Sequence, residues 1–168
     1  MASLILLLII FAVMIVEARR AARNEAAQRA RGGVEPPGDV YKMMRVAYPA
    51  AFLAMCVEGA WRGMAGGSLA LFGAFVFCLA KALKWWAIVA LGPFWTFRVI
   101  VIPNAPLVVK GPYRCLNHPN YVGVAGEFLG VALMTRARGA AAVTLIVWTT
   151  LVLKRLHVET SALARRLK

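Results

Sequence analysis

Apolar residues in this chain come in runs, not in the alternation of a half-buried strand or the stripe of an amphipathic helix. The first run, Leu4 to Val16, is followed by EARRAARNEAAQRAR, a composition that favours helix. GGVEPPGD, Gly32 to Asp39, then breaks any helix. Further runs cover about residues 43–60, 68–83, 119–134 and 140–153. Each approaches the length a helix needs to cross a bilayer. The first does so only by recruiting Ala2, Ser3 and Ala18 or by thinning the membrane locally. The pattern predicts an all-α integral membrane protein of one domain, residues 1–168. About five transmembrane helices fall over 3–18, 43–60, 68–83, 119–134 and 140–153, and a basic cytoplasmic helix over 154–168.

The connections differ in kind. Gly63, Gly66 and Gly67 predict a tight outer turn, with Trp61 and Arg62 at the interface and Glu58 near water. Trp85 to Leu91 either extends the third helix or lies along the membrane surface ahead of Gly92-Pro93, and the surface reading is preferred. VIVIPNAPLVV, residues 99–109, is β-branched and broken by Pro103, Asn104 and Pro106. It predicts an extended or hairpin-like segment on the cytoplasmic face.

Composition narrows the class. The 168 residues are 61% hydrophobic, and a mean hydropathy of +0.70 is too apolar for a soluble domain of this size. The net charge of +13 could suggest a nucleic-acid partner. The cations flank apolar runs and line no single face, which excludes one; they meet lipid headgroups and set topology instead. With the N-terminus outside and five spans, the outer loops hold only Arg62, Arg136 and Arg138, and the other Lys and Arg lie inside. Cys56, Cys78 and Cys115 show no regular spacing, so neither a disulfide framework nor a structural metal is expected.

One stretch gathers polar, aromatic and turn-forming residues: KGPYRCLNHPNYVG, Lys110 to Gly123. Pro119 suits the first turn of a helix, and His118 before it is pushed toward an extended cap conformation. The amides of Asn120 and Tyr121 then fall among the free N–H groups of a helix start, which can bind a carboxylate or phosphate. Gly111-Pro112 turns the chain to present Tyr113 and Arg114. Gly126 and Gly130 make a GxxxG pair that serves close helix packing. Glu127 falls two turns into the fourth span, where a carboxylate is costly. It is a candidate base or acceptor in a cavity, or half of an ion pair with Arg98 or another cation. Arg155 and Glu159 share a helical face as an i,i+4 pair, while His157 is expected in solvent.

These residues carry a resemblance. GPYRCLNHPNYVG resembles the G-x-Y-x-x-x-R-H-P-x-Y-x-G signature of the isoprenylcysteine carboxyl methyltransferase superfamily, which includes phospholipid N-methyltransferases. RLHVETSAL, Arg155 to Leu163, is similar to its closing R-I-x-x-E-E-x-x-L. LGPFWTFRVIVIPNAPLVVKGPYR looks most like a bacterial branch linked to type III polyketide synthases, whose members O-methylate alkylpyrones or alkylresorcinols. The resemblance covers about residues 80–168 and departs at Asn117, where the family has Arg, and at Thr160, where it has Glu. It implies S-adenosylmethionine as donor, a lipophilic acceptor entering from the bilayer, and a bacterial plasma membrane. Donor-binding residues carried over are Ala105, Pro106, Leu107, Val108, Tyr113, His118, Pro119, Asn120, Tyr121 and Glu159, with Arg155 as a substrate-contacting arginine. The remaining alternatives are an amine- or carboxylate-methylating relative, a reductase relative, and a non-catalytic scaffold or transporter. A transporter usually shows paired broken helices in two similar halves, and only one such site is visible here.

Overall fold

The computed structural model describes residues 1–103, 105 and 108–166, with their side chains as far as Ala162. Five helices carry the fold: α1 (Ala2–Ala30), α2 (Tyr41–Arg62), α3 (Gly67–Leu91), α4 (Pro119–Thr135) and α5 (Arg138–Arg166). Short 3-10 turns at Gly92–Phe94 and Gly111–Arg114 bracket the long connection between α3 and α4. Among the described residues, three helical stretches are long and apolar enough to cross a membrane: Ala2–Ala30, Gly67–Phe94 and Arg138–Ala162. The chain is thus an all-α membrane protein. The other two expected spans are also helices, but α2 carries Lys42, Arg45, Glu58 and Arg62, and α4 has 17 residues. At 1.5 Å per residue α4 is about 25 Å long, short of a hydrocarbon core of about 30 Å.

α1 runs well past the apolar segment. Its Ala-rich second half favours helix, and Arg29 pairs with Glu25 one turn back at 3.1 Å. It stops where Gly32 takes φ +78 and the N–H groups of Gly32 and Gly33 close on the carbonyls of Arg29 and Gln28. α5 is likewise one helix, not a span followed by a separate one. Its start is capped from α2: Glu58 accepts from the N–H of Gly139 (3.1 Å) and of Ala140 (2.6 Å).

Trp85 to Leu91 does not lie along the surface; it continues α3 to Leu91. The reason is packing. Ala87 and Ile88 are fully buried, and Ile88 clusters with Ala21 of α1 and Trp95. The same stretch supports the Gly111 turn. Gly111 has φ +61, and a Cβ there would lie 2.9 Å from Ala90 Cβ and 3.1 Å from Trp86 Nε1.

The segment after Gly92 is extended, but its pairing is not with itself. Val101 forms an antiparallel bridge with Val34, two hydrogen bonds of 2.9 Å each. The α1 side chains hold its start: Asn24 donates to the carbonyls of Gly92 (3.0 Å) and Trp95 (2.8 Å), and Gln28 to that of Pro93 (2.9 Å).

α3 and α4 approach most closely. A Cβ on Gly130 would lie 2.7 Å from the backbone nitrogen of Phe77, and one on Gly73 would lie 2.9 Å from the carbonyl of Gly130. Gly126 and Gly123 meet Ala80 and Lys84 in the same way. This glycine face lets the helix backbones nearly touch. It also brings the Lys81 and Lys84 turn of α3 against Glu127. The main core forms around Phe52, Met55, Phe128 and Val131, with Ile10 of α1 closing it.

Candidate active site

A cavity of about 730 Å³ opens among all five helices, within the range of small-molecule sites. One end of its wall is built by the start of α4 and the last turns of α5. Tyr113, His118, Asn120, Tyr121, Arg155, Glu159 and Val108 all line it. Residues widely separated in sequence therefore reach one space. Pro119 is buried in the first turn of α4 and does not face the cavity, nor does Ala105. Pro106 and Leu107 lie outside the described residues.

The geometry is specific. Tyr121 Oη donates to Glu159 Oε1 at 2.6 Å, and Arg155 Nε donates to the same oxygen at 3.2 Å. His118 Nδ1 stands 3.6 Å from Glu159 Oε2. The rings of His118 and Tyr121 stack at 5.5 Å between centroids. Burial, with the charge of Glu159 nearby, pushes the Tyr113 phenol above its ordinary value, so it stays a hydrogen-bond donor. His118 occupies the N-cap position of α4 without a side-chain capping bond, which leaves its ring to the cavity. The amide of Tyr121 is not free as expected: it donates to the His118 carbonyl at 3.1 Å. Among the described residues, the N–H of Asn120 has no backbone acceptor.

Arg155 is 7% exposed. Its NH1 lies 3.7 Å from Asp39 Oδ1 and 3.8 Å from Met44 Sδ. Asp39 also accepts from the N–H of Tyr41 (3.0 Å) and of Val99 (2.9 Å). One carboxylate thus caps α2, anchors the extended segment and holds the arginine. It sits in the tract read only as a helix breaker, and a D before a helix start was the available signal.

Glu127 does not reach the cavity wall. It is fully buried, and Oε1 lies 2.8 Å from Lys81 Nζ and 3.4 Å from Lys84 Nζ. Its cationic partners are these lysines, not Arg98, which pairs with Glu25 (3.0 Å) and Glu35 (2.8 Å). His157 is exposed. Sequence reasoning missed Glu17, fully buried 67 residues away from its partner Lys84. Its signal was a carboxylate closing an apolar run, but nothing local distinguishes it from a residue at a helix end.

The residues present fit S-adenosylmethionine. Asn120 Oδ1 is buried and, among the described residues, has no hydrogen-bond partner, which leaves an acceptor open to a ligand N–H or O–H. Glu159 can accept as well, and stacked His118 and Tyr121 offer π faces to a cationic centre. Met44, Val124 and Trp148 add apolar surface to the wall beside these residues.

Long apolar helices around a cavity with polar groups at both ends define an integral membrane protein with an internal cavity. Residues 71–165 match the isoprenylcysteine carboxyl methyltransferase (ICMT) family, and the chain belongs to that family. It is a family of membrane methyltransferases that use S-adenosylmethionine and act on lipophilic acceptors. The chain is similar to the uncharacterised protein YpbQ of Bacillus subtilis, 28% identical over 159 residues, covering 92% of this chain and 95% of YpbQ. It is also similar to an uncharacterised protein of Haemophilus influenzae, 23% identical over 143 residues, covering 84% of this chain and 83% of the other. No solved structure matches the chain.

Proposed function

We propose that this chain is an S-adenosylmethionine-dependent methyltransferase that O-methylates a long-chain acceptor with an acidic hydroxyl, such as an alkylpyrone or alkylresorcinol. The observation that carries the reading is the convergence of His118, Asn120 and Tyr121 with Arg155 and Glu159 on one cavity. The donor, when bound, supplies an activated methyl group on a positively charged sulfur. Asn120 Oδ1 and Glu159 hold its polar end, and Tyr113, His118 and Tyr121 present aromatic faces. Val108 belongs to the wall that packs against it, with Ala105, Pro106 and Leu107 carried only by the family motif, and Pro119 shapes the turn. Arg155, buried and pinned by Asp39 and Glu159, faces the acceptor as a fixed positive charge.

Methyl transfer needs the acceptor oxygen about 3 Å from the methyl carbon and in line with the departing sulfur. An anionic oxygen and a cationic donor neutralise each other as they react, so a dry, apolar site does not oppose the reaction. Glu127 holds α4 to α3 and serves as a positioning residue. The five-span topology with the N-terminus outside and the C-terminus cytoplasmic, in a bacterial plasma membrane, follows from the charge bias. The lipid enters sideways from the bilayer and the donor from the cytoplasm.

The test is calorimetric titration of the purified protein in detergent with S-adenosylmethionine or S-adenosylhomocysteine. Binding is expected in the micromolar range and lost in His118→Ala and Glu159→Ala. Absence of binding by folded wild-type protein refutes the reading.

A further inference from the structure

A second polar group lines the same cavity, away from the donor-binding turn. Glu17 of α1 and Glu127 of α4 are fully buried, and Lys84 of α3 is 2% exposed. Lys84 Nζ lies 2.7 Å from Glu17 Oε2 and donates at 2.9 Å to Tyr48 Oη of α2. Tyr48 in turn donates to Glu127 Oε2. Lys81 Nζ closes the group, 3.1 Å from Glu17 Oε1 and 2.8 Å from Glu127 Oε1. Two carboxylates balance two ammonium groups.

A fold that needed only to fill this space would do as well with apolar side chains, because desolvating the charges offsets their attraction. Intramembrane charges mark functional paths by default. The arrangement is also asymmetric. Glu17, Tyr48 and Lys84 line the cavity, while Lys81 and Glu127 back them from behind. Next to them α1 presents Met14, Ala18, Ala21 and Ala22, an apolar wall of mostly small side chains with room for an alkyl chain. Trp148 stands between the two polar ends, its ring 6.2 Å from Tyr48 and 6.5 Å from Tyr121. Glu25 on α1, Arg45 on α2, Arg98 and, on α5, Arg155 with Glu159 are further charges in the cavity wall.

We infer that Glu17, Tyr48 and Lys84 form the acceptor subsite, and that it takes an acidic hydroxyl and holds it as the oxyanion. The inference rests on the methyltransferase reading and assigns the residues that hold its acceptor. The acceptor O–H bond breaks, its proton passes to a Glu17 carboxylate oxygen, and the electron pair stays on the acceptor oxygen beside Lys84. That oxygen bonds the methyl carbon and displaces the donor sulfur, the pair of the broken S–C bond going to sulfur. The proton on Glu17 then leaves to water. Negative charge moves only from Glu17 to the acceptor within the field of the same two lysines, so no net charge is created in an apolar site. An alkylammonium acceptor would add an uncompensated positive charge to a cluster whose charges already balance, whereas a neutral hydroxyl adds none.

The experiment binds a long-chain alkyl-nitrophenol, whose ionised form absorbs visibly, to the full chain in detergent and follows its spectrum against pH. The bound probe should ionise about 1–3 pH units below the same probe in empty micelles, as for an acid held beside a cation. Lys84→Gln should abolish that shift and Tyr48→Phe should reduce it, while an alkylamine of equal chain length fails to displace the probe. Lys84→Gln alone unbalances the cluster, so Glu17→Gln/Lys84→Gln, which removes one charge of each sign, is measured beside it. S-adenosylhomocysteine titration of each variant reports whether the donor site is intact. A wild-type probe that titrates as in micelles overturns the inference. So does a shift that survives in both Lys84 variants, with its loss in Arg155→Gln assigning it to Arg155 instead, or equal displacement by the amine. Donor binding with an unshifted probe sinks the acceptor subsite alone; no donor binding by wild-type protein sinks the methyltransferase reading itself.

Discussion

Replacing Asp39 with alanine tests whether one loop carboxylate organises the site. The side chain is 3% exposed, and it accepts from the N–H of Tyr41 at 3.0 Å and of Val99 at 2.9 Å. It also stands 3.7 Å from Arg155 NH1, a side chain 8% exposed. A hydrogen bond to a charged group contributes about 1.5–3 kcal/mol. The two bonds share one carboxylate, so their losses overlap, and about 3 kcal/mol is the expected total. For a chain of this size that lowers Tm by about 6–12 °C. The assay is thermal unfolding in detergent, read by circular dichroism, with donor titration and hydrogen exchange alongside. Asp39→Ala should destabilise by that amount, expose the amides near Val99 to exchange and weaken donor binding, because Arg155 loses one of its two carboxylates. Asp39→Asn keeps one good acceptor and should lose roughly half as much. An Asp39→Ala protein that melts within about 1 °C of wild type and binds the donor unchanged refutes the reasoning.

Two further outcomes are expected. Gly130→Val should cost about 1–3 kcal/mol or more through overpacking, since its Cβ would lie 2.7 Å from the Phe77 backbone nitrogen; unfolding in detergent checks it, and Val124→Ala, in the main core and not on the glycine face, should not separate the helices. Glu35 supplies a pH test. Burial works against its ionisation, but hydrogen bonds from Arg98 and Arg29 outweigh it and hold the carboxyl below its ordinary value of 4.5. The folded value is depressed, so this tie stabilises fully above the unfolded carboxylate pKa and is lost as pH falls through the folded one. The Tm difference between wild type and Glu35→Gln should be near its maximum at neutral pH, shrink below 4.5, and correspond to about 1 kcal/mol at most for so accessible a pair.

Much of this protein was already legible along the chain. Apolar runs too long for a soluble core determine helices in a membrane, because a backbone without water must satisfy its own hydrogen bonds. The start of α4 at Pro119 was legible from Pro119 and the restriction it places on His118. The Arg155–Glu159 pair followed from helical spacing alone. What local pattern could not decide is where a helix ends when its neighbours bury it. Trp85 to Leu91 reads as interfacial by its tryptophans, yet Ala87 is fully buried and Ile88 packs in a core with Ala21 of α1 and Trp95.

The polar groups behind and beside the cavity were decided only by tertiary structure. Glu17 looks like a flank of an apolar run, Lys84 like a snorkelling residue and Tyr48 like a core aromatic. They meet because Gly123, Gly126 and Gly130 let α4 press against α3, and because α1 and α2 cross the turn that carries both lysines. Hydropathy and helical period place a side chain along its own helix. Which distant helix it faces depends on how closely backbones can approach and at what rotation, and that is set by packing across the whole bundle.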